Sequence, residues 1–429
     1  MEFRARRWTI SLTLLNLAVF VQGPSFAQRP SFRKPPPLGV VELVGLGISS
    51  VVELEDGRLL SDRGSISSDG GHTWSHRETF PLGGHSGDGL ARLQSGALIL
   101  TTSRLPQPTM WISNDEGKTW EARIPRLVGT PLEATPPIQL KNGRLLWASR
   151  YTMGNLLHAG LKYKDASAYG TYRGKPYQIE GHGHIPEISL AGVSYSDDEG
   201  KTWKCGEKFN PNDDDLRYSS AILLGWFGPD GHANQSEAWV TDTDEPTIAE
   251  TKDGKVLFFA RSTVGRIVQS WSDDAGIHWT PVLPTDLASS YSPARLVRIP
   301  KTGDLLCVWN QLSGAEIRRG YRRGRLTAAI SRDAGHSWEN FKTLELSEGL
   351  DDVAKVEPEY PIPMLIRARK NVGPLPDAYA YFHYASVTFA GDKVFIAYSR
   401  GSPLLGIAEQ NLKEQENVLR IVPLHWFYD

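Results

Sequence analysis

Glu245 and Tyr384 carry side chains suited to acid–base and nucleophilic work, and they hold nearly the same place in an internal repeat. Each opens a β-rich run that passes through a Gly turn into a second run, over Glu245–Phe259 and Tyr384–Tyr398. A phenol titrates near about 10 and is a weak nucleophile until a base lies within hydrogen-bond reach, a role a glutamate can fill. Arg261 closes the strand that follows Glu245, and Arg104, Arg150 and Arg400 close the second strand of their own hairpins. Guanidinium forks suit a carboxylate ligand, so these arginines are candidate substrate-binding residues. Asp88 opens the second such hairpin and is the first candidate for an axial carboxylate, ahead of Asp62 and Asp242. The plainer reading of each of these charges is a solvated rim residue. His182-Gly-His184 would place two rings on one face of a strand, as metal ligands need, but the flanking glycines argue for a loop. Two histidines leave a metal's ligand set incomplete, so no metal is expected. His182 and His184 are read instead as pocket donors to a sugar or as proton carriers, with a Gly-rich surface loop as the alternative.

The elements that must position these residues form a regular series. Further copies of the hairpin run from Ile48 through Gly57 to Leu60, and over Asp88–Leu100, Glu133–Trp147 and Ser292–Trp309. A second motif, Ser-x-Asp-x-Gly-x-(Thr/Ser)-Trp, follows each of the first five hairpins. It occupies Ser67–Trp74, Ser113–Trp120, Ser196–Trp203, Ser272–Trp279 (with His278 at the hydroxyl position) and Ser331–Trp338. Its Asp and Gly are turn residues and its Trp is a packing residue, so each copy reads as a second hairpin. The Asp positions lie 46 to 83 residues apart, a period typical of radially arranged or stacked β modules with insertions. Two hairpins make a four-stranded unit. The fold predicted is all-β, a six-bladed β-propeller of four-stranded antiparallel blades, whose radial closure protects strand edges. The last unit lacks the motif, and pairing of Val418–Tyr428 with Gly39–Val44 is expected to close the ring. Three long connections, 151–190, 207–244 and 344–381, are expected to wall a pocket at the axis or to decorate the surface.

The 429-residue chain has a formal net charge of −2, which gives no support for a nucleic-acid or anionic-membrane partner. Arg4, Arg6 and Arg7 precede an apolar run from Trp8 to Val21 and small residues up to Ala27. This is the pattern of a secretory signal over 1–27, with a weaker twin-arginine reading, and it predicts a secreted or periplasmic protein. A Pro-rich tether over 28–38 would lead into a propeller over 39–429, and no later apolar run is long enough to span a bilayer. Cys205 and Cys307 are read as free thiols rather than a disulfide. Phosphate-loop, dinucleotide and nucleophile-elbow motifs are absent, so no cofactor is expected.

The five Asp motifs resemble the Asp-boxes of the sialidase (neuraminidase) superfamily of BNR-repeat proteins, where they lie on outer hairpins away from the site. The stretch Asp244–Gly254, followed by Leu257–Arg261, is similar to the family's Glu-opened inner hairpin that closes on an Arg. The resemblance implies that Glu245 partners a catalytic tyrosine and that Arg261 belongs to a carboxylate-gripping arginine triad. Arg323, in the run Arg323–Ser331, resembles a second triad arginine, with Arg325 as the fallback. His383-Tyr384 resembles the segment with the nucleophilic tyrosine. The first inner strand departs from the family pattern. It reads Gly47-Ile48-Ser49-Ser50 with no arginine, and Leu60–Arg63 runs almost directly into the first box, without the loop that carries the family's acid/base Asp.

The expected activity is therefore glycoside hydrolysis at a terminal acidic sugar, with retention through a tyrosine nucleophile. Tyr384, Glu245 and Asp88 are the catalytic candidates, and Arg261, Arg323, Arg150, Arg104, His182 and His184 the substrate-binding ones. The partner implied is an acidic glycan. Two alternatives stand beside this reading: a propeller hydrolase or lyase acting on uronic-acid polysaccharide, and a non-catalytic carbohydrate-binding propeller.

Overall fold

The structure, a computed structural model, describes residues 37, 39–75, 80–82, 89–103, 107–127, 131, 135–153, 162–164, 167–172, 175–180, 188–205, 218–219, 225–227, 239–241, 243–359, 375–376, 379–402 and 415–429. Asp88, Arg104, His182, His184 and Asp242 lie outside these residues, as do the expected signal segment and most of the tether.

Six small antiparallel sheets form a six-bladed β-propeller. The first blade contains Val51–Glu53, Leu59–Ser61 and Ile66–Ser67, extended by a bridge from Ile66 to Ser75. The second contains Gly89–Arg92, Leu98–Thr102, Thr109–Ser113 and Glu121–Arg123. The third is built from Ile138–Gln139, Leu145–Met153, Ile188–Ser196 and Lys204–Cys205. The fourth contains Asp244–Glu250, Val256–Arg261, Arg266–Ser272 and Leu283–Ala288. In the fifth, Arg295–Arg298, Leu305–Asn310, Arg325–Ser331 and Glu339–Leu346 follow in order. The sixth joins Tyr381–Ala390, Lys393–Gly401 and Glu416–Pro423 to the early strand Val41–Val44.

That last pairing closes the ring, with Val41 opposite Ile421 and Val44 opposite Val418, as expected from the sequence. A buried ion cluster reinforces it. Arg400 pairs with Glu42, Glu345 and Glu416, and Arg420 with Glu42 and Glu345, so the closing strand is tied to both the fifth and sixth blades.

The boxes form the turns between third and outer strands. In the first, the Ser67 hydroxyl donates to Asp69 Oδ1 at 2.8 Å, the Thr73 N–H and hydroxyl donate to the same carboxylate, and Gly71 N–H donates to Ser67 Oγ. These bonds, led by the Thr73 hydroxyl, hold the Asp69 carboxyl well below the usual range. The Thr119 hydroxyl and N–H likewise bring Asp115 down to about 2. In the fourth box His278 Nδ1 meets Asp274 Oδ2 at 2.6 Å, so the imidazole replaces the hydroxyl.

Each box also packs on the blade before it. A Cβ on Gly335 (φ +97°) would sit 2.4 Å from Leu257 of the fourth blade, and one on Gly276 2.8 Å from Leu146 of the third. The box tryptophans follow the same rule. Trp203 packs with the second-blade core and with Trp147, and Trp338 joins Leu257, Phe259, Leu305 and Trp309 between the fourth and fifth blades. The apolar core is thus a series of inter-blade layers, and middle strands such as Val256–Arg261 are buried along their whole length.

The connection at 151–190 contains a three-stranded sheet of Lys162–Lys164, Ser167–Tyr172 and Lys175–Glu180. Within 207–244, Gly225–Phe227 pairs with Trp239–Thr241. No helix among the described residues is long and apolar enough to cross a membrane.

Candidate active site

Glu245 and Tyr384 occupy equivalent β-bulges. In the fourth blade the register between inner and second strands shifts between Asp244 and Thr247, and in the sixth it shifts between His383 and Ser386. Each bulge begins with a non-Gly residue at positive φ, Glu245 at 48° and Tyr384 at 51°. That conformation costs energy for residues with a Cβ, and bulges of this kind re-aim a side chain. Both side chains are turned from the ladder toward each other. The Tyr384 hydroxyl donates to Glu245 Oε1 at 3.2 Å.

Cations gather on this pair. Arg261 Nη1 donates to Glu245 Oε2 at 2.6 Å, and its guanidinium lies 3.6 Å from the Tyr291 ring centre. Burial, the largest single influence, would lower the Arg261 pKa, but Glu245, Tyr291, Asp244 and Tyr384 together outweigh it and hold the group well above the usual value. Arg323 stands over the Tyr384 ring at 4.9 Å and bonds His383 Nδ1 at 2.7 Å. Burial, then the Arg323 charge, depresses the His383 pKa to about 2, so its imidazole is neutral and its Nδ1 accepts from Arg323. Arg150 reaches in from the third blade, its Nη1 3.6 Å from Asp244 Oδ1. Asp244 also lies 3.9 Å from Arg261 and accepts the Glu245 N–H at 2.9 Å. Glu245 is 3% exposed and Tyr384 36%, so the phenol is open to a ligand while the carboxylate beneath it is shielded from water.

The sequence candidates sort by register. Arg261 pairs with Asp244 across its hairpin. The residue paired with His383, the sixth-blade counterpart of Asp244, is Ser399 rather than Arg400. Arg400 is one residue further on, faces the other side of the sheet, and is consumed by the closure cluster, so it is no substitute for an axial arginine. Arg325 is also withdrawn, buried in a pair with Glu316 at 2.9 Å. Asp62 is fully buried and caps the start of the first inner strand, accepting from Ser49 N, Ser49 Oγ and Ser50 N. Burial raises its pKa to about 6 against those bonds.

Asp244, Tyr291 and His383 contribute to the site without having been singled out for roles. Two of them were within reach of the repeat alignment, because Asp244 and His383 immediately precede Glu245 and Tyr384. Tyr291 carried no signal, since its role arises from stacking on Arg261.

Residues 90–384 match the family model described as a BNR repeat-like domain, which spans well over half of the chain. The chain belongs to the BNR repeat-like domain family. Solved structures similar to this BNR repeat-like protein include an α-L-arabinofuranosidase from Fusarium graminearum, at 14% identity and TM-score 0.41, covering 91% of this chain and 99% of that one. An α-L-arabinanase from Penicillium chrysogenum is similar at 12% identity and TM-score 0.40, with 87% and 92% covered. A structure of NanB with optactamide is similar at 12% identity and TM-score 0.38. That match covers 87% of the BNR repeat-like chain, which spans 44% of the NanB chain.

Proposed function

We propose that this protein is a secreted glycoside hydrolase that releases a terminal acidic sugar of the sialic-acid type from glycans, with retention of configuration. The observation that carries this reading is the 3.2 Å bond from Tyr384 to Glu245, set among Arg261, Arg323 and Arg150. A sugar with a carboxylate on its anomeric carbon repels a carboxylate nucleophile, whereas a neutral phenol meets no such barrier. In the first step the Tyr384 oxygen bonds to the anomeric carbon while the bond to the leaving oxygen breaks. The phenolic proton passes to Glu245 Oε1, and an acid, the role assigned to Asp88, protonates the leaving oxygen. In the second step water attacks the same carbon and gives its proton to that group, and the departing phenolate recovers its proton from Glu245. Arg323, over the ring, stabilises charge developing on the phenolate, and the arginines together grip the substrate carboxylate.

The test is fluorophore release from a sialoside by the wild-type protein and by Tyr384→Phe. Loss of release in the variant supports the reading, and equal release in both removes Tyr384 from the chemistry. A new ultraviolet absorbance with uronic-acid polysaccharide would favour a lyase instead. Calorimetric binding of the acidic sugar without turnover would favour a binding propeller.

A further inference from the structure

A half-open cavity of about 430 Å³ lies at the propeller axis, lined from all six blades through Val51, Leu90, Pro136, Thr247, Arg295 and Thr388 among others. Its charged lining is three arginines against one glutamate, namely Arg92, Arg295, Arg298 and Glu250. Arg92 is answered by Glu116 at 2.6 Å. Arg298 lies 3.5 Å from Glu250, whose carboxylate also accepts the Lys141 N–H at 3.1 Å from both oxygens. Arg295 remains. It is only 9% exposed, its Nε has no hydrogen-bond partner, and no carboxylate among the described residues pairs with it.

Register makes the placement unusual. Arg295 stands opposite Val308 near the opening end of its hairpin, the level held by Thr247 in the fourth blade and Ser386 in the sixth. Those two residues use their hydroxyls on neighbouring blades. Thr247 bonds the Leu296 carbonyl and Ser386 the Ser49 carbonyl. Arginine at this level makes no such bond and instead brings a guanidinium to the cavity. Burial lowers its pKa to about 10, so it stays charged at neutral pH. A buried cation without a counter-charge is strongly unfavourable, and a cavity of this size holds more than a single water.

We propose that the axial cavity is a binding site for a small anion, held by the Arg295 guanidinium among the inner strands that line it. The ligand class is a halide or an anion of similar size, whose charge balances the one cation of the cavity lining that no described carboxylate answers.

The experiment compares wild type with Arg295→Met, which keeps side-chain length and removes the charge. Thermal unfolding is followed in chloride and in gluconate, a polyol anion several times the size of a halide, at matched ionic strength. Wild type is expected to melt roughly 2 °C or more higher in chloride, while Arg295→Met melts at the same temperature in both. Crystals soaked in bromide should show an anomalous peak beside Arg295 in wild type. Equal chloride response in both proteins, or a wild-type cavity holding only water in bromide, overturns the proposal. If Arg295→Met does not fold, the wild-type bromide peak decides alone.

Discussion

The Tyr384 hydroxyl and the Glu245 carboxylate meet at 3.2 Å across 139 residues of sequence, because two separate hairpins place the same bulge at the same face of the propeller. Neither residue could turn from its strand toward the other without the positive φ that each adopts. The bond couples a phenol that a ligand can reach to a base that water cannot.

If that pair performs the chemistry, removing either partner should abolish it without unfolding the protein. Tyr384→Phe and Glu245→Gln are each expected to lower kcat by about 10²- to 10⁴-fold on an aryl sialoside. The double variant should lose little more than either single one, since the two act as a unit. Melting temperature, measured in parallel, should stay near the wild-type value for Tyr384→Phe.

Arg261→Lys keeps the charge but loses the fork to Glu245 and the stack on Tyr291. The expected result is a fall in kcat/KM of about 10- to 100-fold for an acidic sugar. Steady-state kinetics on matched substrates with and without the carboxylate should show most of the loss on the acidic one.

Two buried groups make opposing contributions to stability as pH changes. Asp62 has a raised folded-state pKa of about 6, so the folded state holds its proton more tightly, and this contribution weakens the protein as pH rises from about 4 to about 6. His383 has a depressed folded-state pKa of about 2, so its contribution is present above the ordinary histidine range and is lost as pH falls below about 6.5. Wild-type stability alone would hide both. Denaturant titrations should show Asp62→Asn gaining on wild type as pH rises from 4 to 6, and His383→Gln gaining on wild type as pH falls over the same span.

The boxes are predicted to matter for assembly and not for chemistry. Gly335→Ala would force a Cβ into φ +97° and to within 2.4 Å of Leu257. A loss of about 1–3 kcal/mol is expected from chemical denaturation, with kcat unchanged in the folded fraction.

Ring closure gives another test. Arg400→Met would leave Glu42, Glu345 and Glu416 short of a buried partner, at a cost of about 3–5 kcal/mol. Were Arg400 a substrate-binding residue, KM would rise while stability held. The expected outcome is the reverse.

The sequence by itself determined the blade count, the box turns and the closing strand, because these follow from local patterns. Alternation recurs in every unit, the Asp, Gly and Trp of the box recur in the first five, and the last unit's missing box pointed to a strand supplied from the start of the chain. It also singled out Glu245, Arg261 and Tyr384, since each opens or closes a strand at a repeated position, and Arg323 through the family resemblance. Only the tertiary structure decided which charges share a face. A shift of one residue in strand register reverses a side chain's direction, and that shift separates Arg261, at the tyrosine–glutamate pair, from Arg400, locked in the closure cluster. The stacking of Tyr291 on Arg261, the support of Arg323 by neutral His383, and the unpaired Arg295 on the axis depend on packing between blades, which no local pattern encodes.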